Sequence, residues 1–135
     1  MNRRRLISII LVAVLLVVIP QSSFGYSGGI TGRSSSGCTC HSGGSGEVTP
    51  SLSGLDSGYV GNQTYNLTIG GSGGPTGSEG GFNLASNFGT FSNPGTNAQI
   101  LIGQVTHSNS NSRSWTVDWT APSNGTGNVT FTLAV

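Results

Sequence analysis

From Glu47 onward, apolar and polar positions alternate in short runs, the period of half-buried β-strands rather than helices. Tyr65, Leu67 and Ile69 alternate with Asn66 and Thr68, which predicts a strand over Thr64–Ile69. Trp115, Val117 and Trp119 alternate with Thr116, Asp118 and Thr120, and Val129, Phe131, Leu133 and Val135 alternate with Thr130, Thr132 and Ala134. Val48–Leu52 reads as a weak first strand, Gly80–Asn87 as a strand with Phe82 and Leu84 on one face, and Ala98–Val105 as a single partly buried strand. Gly70–Gly81 reads as a long loop, and Ala121-Pro122-Ser123-Asn124-Gly125 as a turn. Strands of this length and spacing predict a β-sandwich. Its expected core is Tyr65, Leu67, Trp115, Val117, Trp119, Phe131 and Leu133.

Two segments before Glu47 have other patterns. Met1–Arg5 is cationic, Leu6–Ile19 is an apolar run broken only by Ser8, and Ser23 and Gly25 are small residues at the −3 and −1 positions of a cleavage site. This predicts a signal peptide over residues 1–25. The rival is an uncleaved membrane anchor, for which about 20 apolar residues would be wanted. Residues 26–46 form a Gly/Ser-rich segment too polar to build a core of its own. The expected organisation is therefore a signal peptide (1–25), a Gly/Ser-rich motif segment (26–46) and a sandwich domain (47–135). The chain stops at Val135, inside the last predicted strand, so a truncated sequence or a missing further strand is part of the expectation.

Composition narrows the function classes. Of 135 residues only 7% are charged, 23 are glycine and none is lysine. Beyond Gly25, Arg33 and Arg113 stand against Glu47, Asp56, Glu79 and Asp118, a net charge of −2. A nucleic-acid partner is excluded, since it requires a basic footprint. There is no carboxylate pair and no phosphate-cradling loop between a strand and a helix, so an enzyme is not expected. Sequons at Asn62, Asn66, Asn124 and Asn128 fit surface glycosylation of an exported chain or a chance product of its composition.

The chemistry-bearing element is Cys38-Thr39-Cys40-His41. Three readings are open. In covalent c-type haem, thiols add to the haem vinyl groups and the adjacent histidine ligates iron. Cys40-His41 keeps the usual adjacency, whereas Cys38 stands one residue closer than usual and would supply a second or partial thioether. A Cys38–Cys40 disulfide would be strained and would close a very short loop. A structural metal site would need a fourth ligand besides Cys38, Cys40 and His41, for which His107 is the remaining strong nitrogen donor. His107 is either a solvent-exposed loop histidine or the second axial ligand of a haem. With no methionine after Met1, it is the one strong side-chain ligand left for that position. Arg33 and Arg113 are either solvated loop charges or partners for haem propionates. Trp115 and Trp119 are core residues or haem-edge contacts.

The order of Tyr26-Ser27-Gly28-Gly29-Ile30-Thr31-Gly32-Arg33, Cys38-Thr39-Cys40-His41-Ser42-Gly43, Thr106-His107 and Trp115-Thr116-Val117-Asp118-Trp119-Thr120-Ala121-Pro122 resembles the reelin-like, "choice-of-anchor" family of exported prokaryotic domains. The resemblance implies an immunoglobulin-like β-sandwich at the cell surface. It also implies haem binding through Cys38, Cys40 and His41, with His107 matching the histidine before the tryptophan strand. The expected function is thus an exported or cell-surface monohaem c-type cytochrome-like protein, with haem iron held by His41 and His107. Its partner would be a redox protein or surface protein, and it would meet a membrane only through an uncleaved signal segment or a missing C-terminal anchor. The alternative is a cell-surface structural or adhesion module without a cofactor.

Overall fold

A computed structural model describes residues 26–37, 47–55 and 58–135. Met1–Gly25 and the Cys-x-Cys-His element lie outside them, so the signal-peptide and motif expectations fall outside the described residues. Eight strands form: β1 (Val48–Ser53), β2 (Thr64–Gly73), β3 (Asn83–Ser86), β4 (Thr90–Ser92), β5 (Ala98–Leu101), β6 (Gln104–His107), β7 (Ser114–Thr120) and β8 (Phe131–Ala134). They make two antiparallel four-stranded sheets, ordered β1-β2-β7-β4 and β5-β6-β3-β8. β8 lies against β1 and β5 against β7, so the sheets stack face to face. The all-β sandwich expected from the alternation is the fold.

The core lies between the sheets. Leu67, Ile69, Leu84, Val105, Val117 and Trp119 are fully buried, with Phe82 and Trp115 nearly so. Tyr65, Phe131 and Leu133 are only half-buried, at its margin. Trp119 meets Phe131 edge-on at 5.0 Å and Tyr59 at 5.9 Å, and Phe82 packs on Trp115 at 4.5 Å. Offset and edge-on arrangements suit the ring quadrupoles. Full burial of each large apolar side chain contributes about 1.5–3 kcal/mol, so these residues dominate the stability of the sandwich.

Several elements differ from the expectation. β2 runs on to Gly73 because Gly70–Gly73 pair with Val48–Ser51 of β1. A side chain at Gly71 would strike Val135 and Val48, so this stretch accepts only glycine at that point of close packing. The expected single strand Ala98–Val105 is a hairpin, β5–β6, turning at Ile102-Gly103 with φ of 50° and 72°. β4, not anticipated, pairs Phe91 with Trp119 at the edge of the first sheet.

Candidate functional site

β6 brings alternating side chains to two surfaces. Val105 faces the core, while Gln104 and Thr106 face outward. On the neighbouring β3, Asn83 also faces outward, between the core residues Phe82 and Leu84. Such outward polar positions normally meet water. Here Asn83, Thr106 and His107 are the buried polar side chains among the described residues, 1%, 0% and 7% exposed. They are covered by the segment Tyr26–Ser36, which crosses the outer face of the second sheet from β5 to β8.

The strap is held through its backbone. Ile30 N–H donates to Thr106 Oγ1 at 3.1 Å and Gly32 N–H to Gln104 Oε1 at 3.0 Å. Arg33 and Ser34 N–H both donate to Asn83 Oδ1, at 2.8 and 2.9 Å. Gln99 Nε2 donates to the carbonyl of Gly28, and Thr132 Oγ1 to Ser34 Oγ. Asn83 Nδ2 in turn donates to Gln104 Oε1 and to the carbonyl of Val105. A segment too polar to order itself is thus ordered by side chains that supply hydrogen-bond partners without requiring an apolar core.

His107 is neither a loop residue nor solvent-exposed. It ends β6, with its ring under Gly81, where a Cβ would come within 2.7 Å of its Cε1. Phe82 N–H can only donate, so Nδ1, 3.0 Å away, accepts. That fixes the hydrogen on Nε2, which donates to the carbonyl of Tyr26 at 2.8 Å. Both ring nitrogens are therefore committed within the protein. Arg113 binds the carbonyls of Gly73 and Pro75, and the Arg33 backbone binds Asn83. Trp115 and Trp119 are core, as the plainer of their two readings held. Cys38, Cys40 and His41 lie outside the described residues. Sequence reasoning missed Asn83, Gln99, Gln104 and Thr106, because outward polar residues on a strand give no sign that a distant segment covers them.

A family model described as the Reeler domain matches residues 52–135. The chain belongs to the Reeler domain family. The crystal structures of human F-spondin reeler domain fragments 1 and 2 are similar at a TM-score of 0.52 each and 24% identity, covering 64% of this chain and 73% and 76% of theirs. The Reelin-N domain of F-spondin is similar at a TM-score of 0.53 and 24% identity, covering 64% of this chain and 70% of its own. At this identity the likeness shows the fold. No curated protein matches the chain in sequence. The Reeler match begins at Leu52, so the Tyr26–Ser36 strap precedes it.

These findings correct the cytochrome expectation. Family and neighbours are reeler domains, and among the described residues no three His, Cys, Asp or Glu side chains gather to hold a metal. The haem cofactor, the metal binding and the electron-transfer function expected from the sequence are overturned. Over Tyr26–Ser36, the segment too polar to build a core of its own is ordered by hydrogen bonds to the second sheet.

Proposed function

We propose that this Reeler domain is an exported cell-surface module with a structural or adhesive role, working without a cofactor and without catalysis. The observation that carries the reading is the use made of its polar core. In a Reeler sandwich, Asn83, Thr106 and His107 all hold a strap, and none is left turned toward a ligand. The cationic start and apolar run of residues 1–25 support export, with residues 26–46 and 47–135 as the strap-bearing segment and the sandwich. The test is cell fractionation with protease shaving of intact producing cells. A surface module is recovered outside the cell or removed by external protease, with no visible absorption band. Recovery in the cytoplasm would refute the reading.

A further inference from the structure

The fold treats the four sequons of the sandwich differently. In this motif the asparagine amide nitrogen takes a sugar, and the hydroxyl two residues on is read with it, so both groups must be open to an enzyme. Asn62, Asn66, Asn124 and Asn128 are all exposed, and exposure alone does not separate them. The hydrogen bonds of the amide and of the paired hydroxyl do. Asn66 sits within β2 opposite Asp118 of β7, and its Nδ2 donates to Asp118 Oδ1 at 2.8 Å. Asn62 has a left-handed φ of 61°, its N–H donates to the carbonyl of Pro122, and the hydroxyl of its partner Thr64 pairs with that of Thr120 at 2.8 Å. Asn124 Oδ1 accepts from Gly61 N–H at 2.8 Å, and the hydroxyl of its partner Thr126 donates to the carbonyl of Ser123 at 2.8 Å. In each of these three the amide, the hydroxyl or both are already engaged.

Asn128-Val129-Thr130 is presented in another way. It lies between the turn at Asn124-Gly125 and β8, outside any strand. Val129 packs against the core, and side chains alternate along the extended approach to β8, so Asn128 and Thr130 face the opposite, outer side together. Both are exposed. The segment is anchored through its backbone. Tyr59 Oη donates to the carbonyl of Gly127 at 2.7 Å, Thr130 N–H donates to Asn87 Oδ1 at 2.8 Å, and the carbonyl of Thr130 accepts from Asn87 N–H at 3.2 Å. Among the described residues, the Asn128 amide and the Thr130 hydroxyl make no hydrogen bond. A fixed backbone thus holds both side chains of one sequon toward solvent.

We propose that Asn128 is the glycan acceptor of this domain. The proposal rests on the export reading above, because the acceptor must meet a membrane-bound donor on its way out of the cell. The donor is a sugar carried as a lipid-linked diphosphate. Asn128 Nδ2 forms a bond to the anomeric carbon, the diphosphate leaves with the electron pair of the broken bond, and the displaced amide proton passes to a base of the transferase. Nothing is oxidised or reduced. Residues 121–130 carry no charge, so no carboxylate of this segment repels the diphosphate.

The test is mass spectrometry of the protein recovered from the surface of its producing cells, intact and as peptides fragmented finely enough to separate Asn124 from Asn128. Sugar is expected on Asn128, lost in Asn128→Gln and Thr130→Ala, kept in Thr130→Ser and unaltered in Asn66→Gln. Asn128→Gln should unfold at the urea concentration of the unglycosylated wild type, which separates loss of the acceptor from loss of the fold. Surface protein with a bare Asn128, sugar confined to Asn62, Asn66 or Asn124, or sugar that survives Thr130→Ala would each overturn the proposal. The first of these leaves the surface-module reading standing, whereas recovery in the cytoplasm alone would remove both.

Discussion

Nε2 of His107 donates to the backbone carbonyl of Tyr26 across 81 residues of sequence, at 2.8 Å. The same ring accepts from Phe82 N–H, so one side chain ties the start of the strap to the start of β3. His107→Ala would leave Phe82 N–H buried without an acceptor, which costs about 1–3 kcal/mol, and would free the Tyr26 end. The expected outcome is a lower thermal midpoint together with faster amide exchange over residues 27–30. A strap exchanging at the wild-type rate would show that His107 does not hold it.

Gly29 reaches the same place from the strap's side. Its φ is 91°, and a Cβ there would lie 2.3 Å from the carbonyl oxygen of His107 and 2.7 Å from Thr106 Cγ2. Backbone on one side and a fully buried threonine on the other cannot yield cheaply. Gly29→Ala should detach the strap while the sandwich keeps its cooperative unfolding transition. Hydrogen exchange should then show protection lost over 28–34 and retained in β2 and β7.

The sandwich was legible because its code is local. Leu67, Trp115, Val117 and Trp119 obey period two, and each stands where that period puts it. The β5–β6 turn was hidden because Ile102-Gly103 lacks the Asn-Gly or Asp-Gly signal of such turns. The strap was hidden for a different reason. Its partners Asn83, Gln104 and Thr106 are 49 to 76 residues away, and they recognise backbone groups that every residue carries. His107 was noticed for its chemistry, but sequence alone could not show that both its nitrogens have partners.

Asp118 stands on the outer face of the first sheet. Hydrogen bonding by Asn66 first, at 2.8 Å, and then by Asn93, at 3.0 Å, holds its carboxyl below the usual range. A carboxyl whose folded value is lowered contributes stability that is present at neutral pH and is lost as the pH falls through that folded value. Wild type should therefore be slightly more stable than Asp118→Asn at pH 7, and the gap should close in acid. Urea unfolding of both proteins at pH 7 and pH 2 measures it, and a gap that widens in acid would contradict the assignment.

Trp119 joins the two sheets at the centre of the core, fully buried between Phe131 and Tyr59. Truncating a buried tryptophan to alanine costs about 3–5 kcal/mol, a large part of the stability of a domain this small. Trp119→Ala should be largely unfolded or unfold at much lower urea, whereas Trp119→Phe should fold with a smaller loss. The Nε1 donor to the carbonyl of Phe88 disappears in both, so their difference isolates the packing contribution.

Ile102→Asn should stabilise the protein, whereas most substitutions destabilise. Isoleucine at a φ of 50° bears a left-handed penalty of about 1–2 kcal/mol that asparagine largely escapes. Relieving it should raise stability by about 1 kcal/mol, which for a domain of this size lifts the thermal midpoint by roughly 4–8 °C. Ile102→Val keeps the β-branch and the strain, so it should melt with the wild type. Ile102→Gly relieves the strain but gives the unfolded chain more freedom, so it should gain less than asparagine. Thermal melts in the order Asn above Gly above Val and Ile would establish that the native turn is strained. If all four melt together, the turn stores no strain.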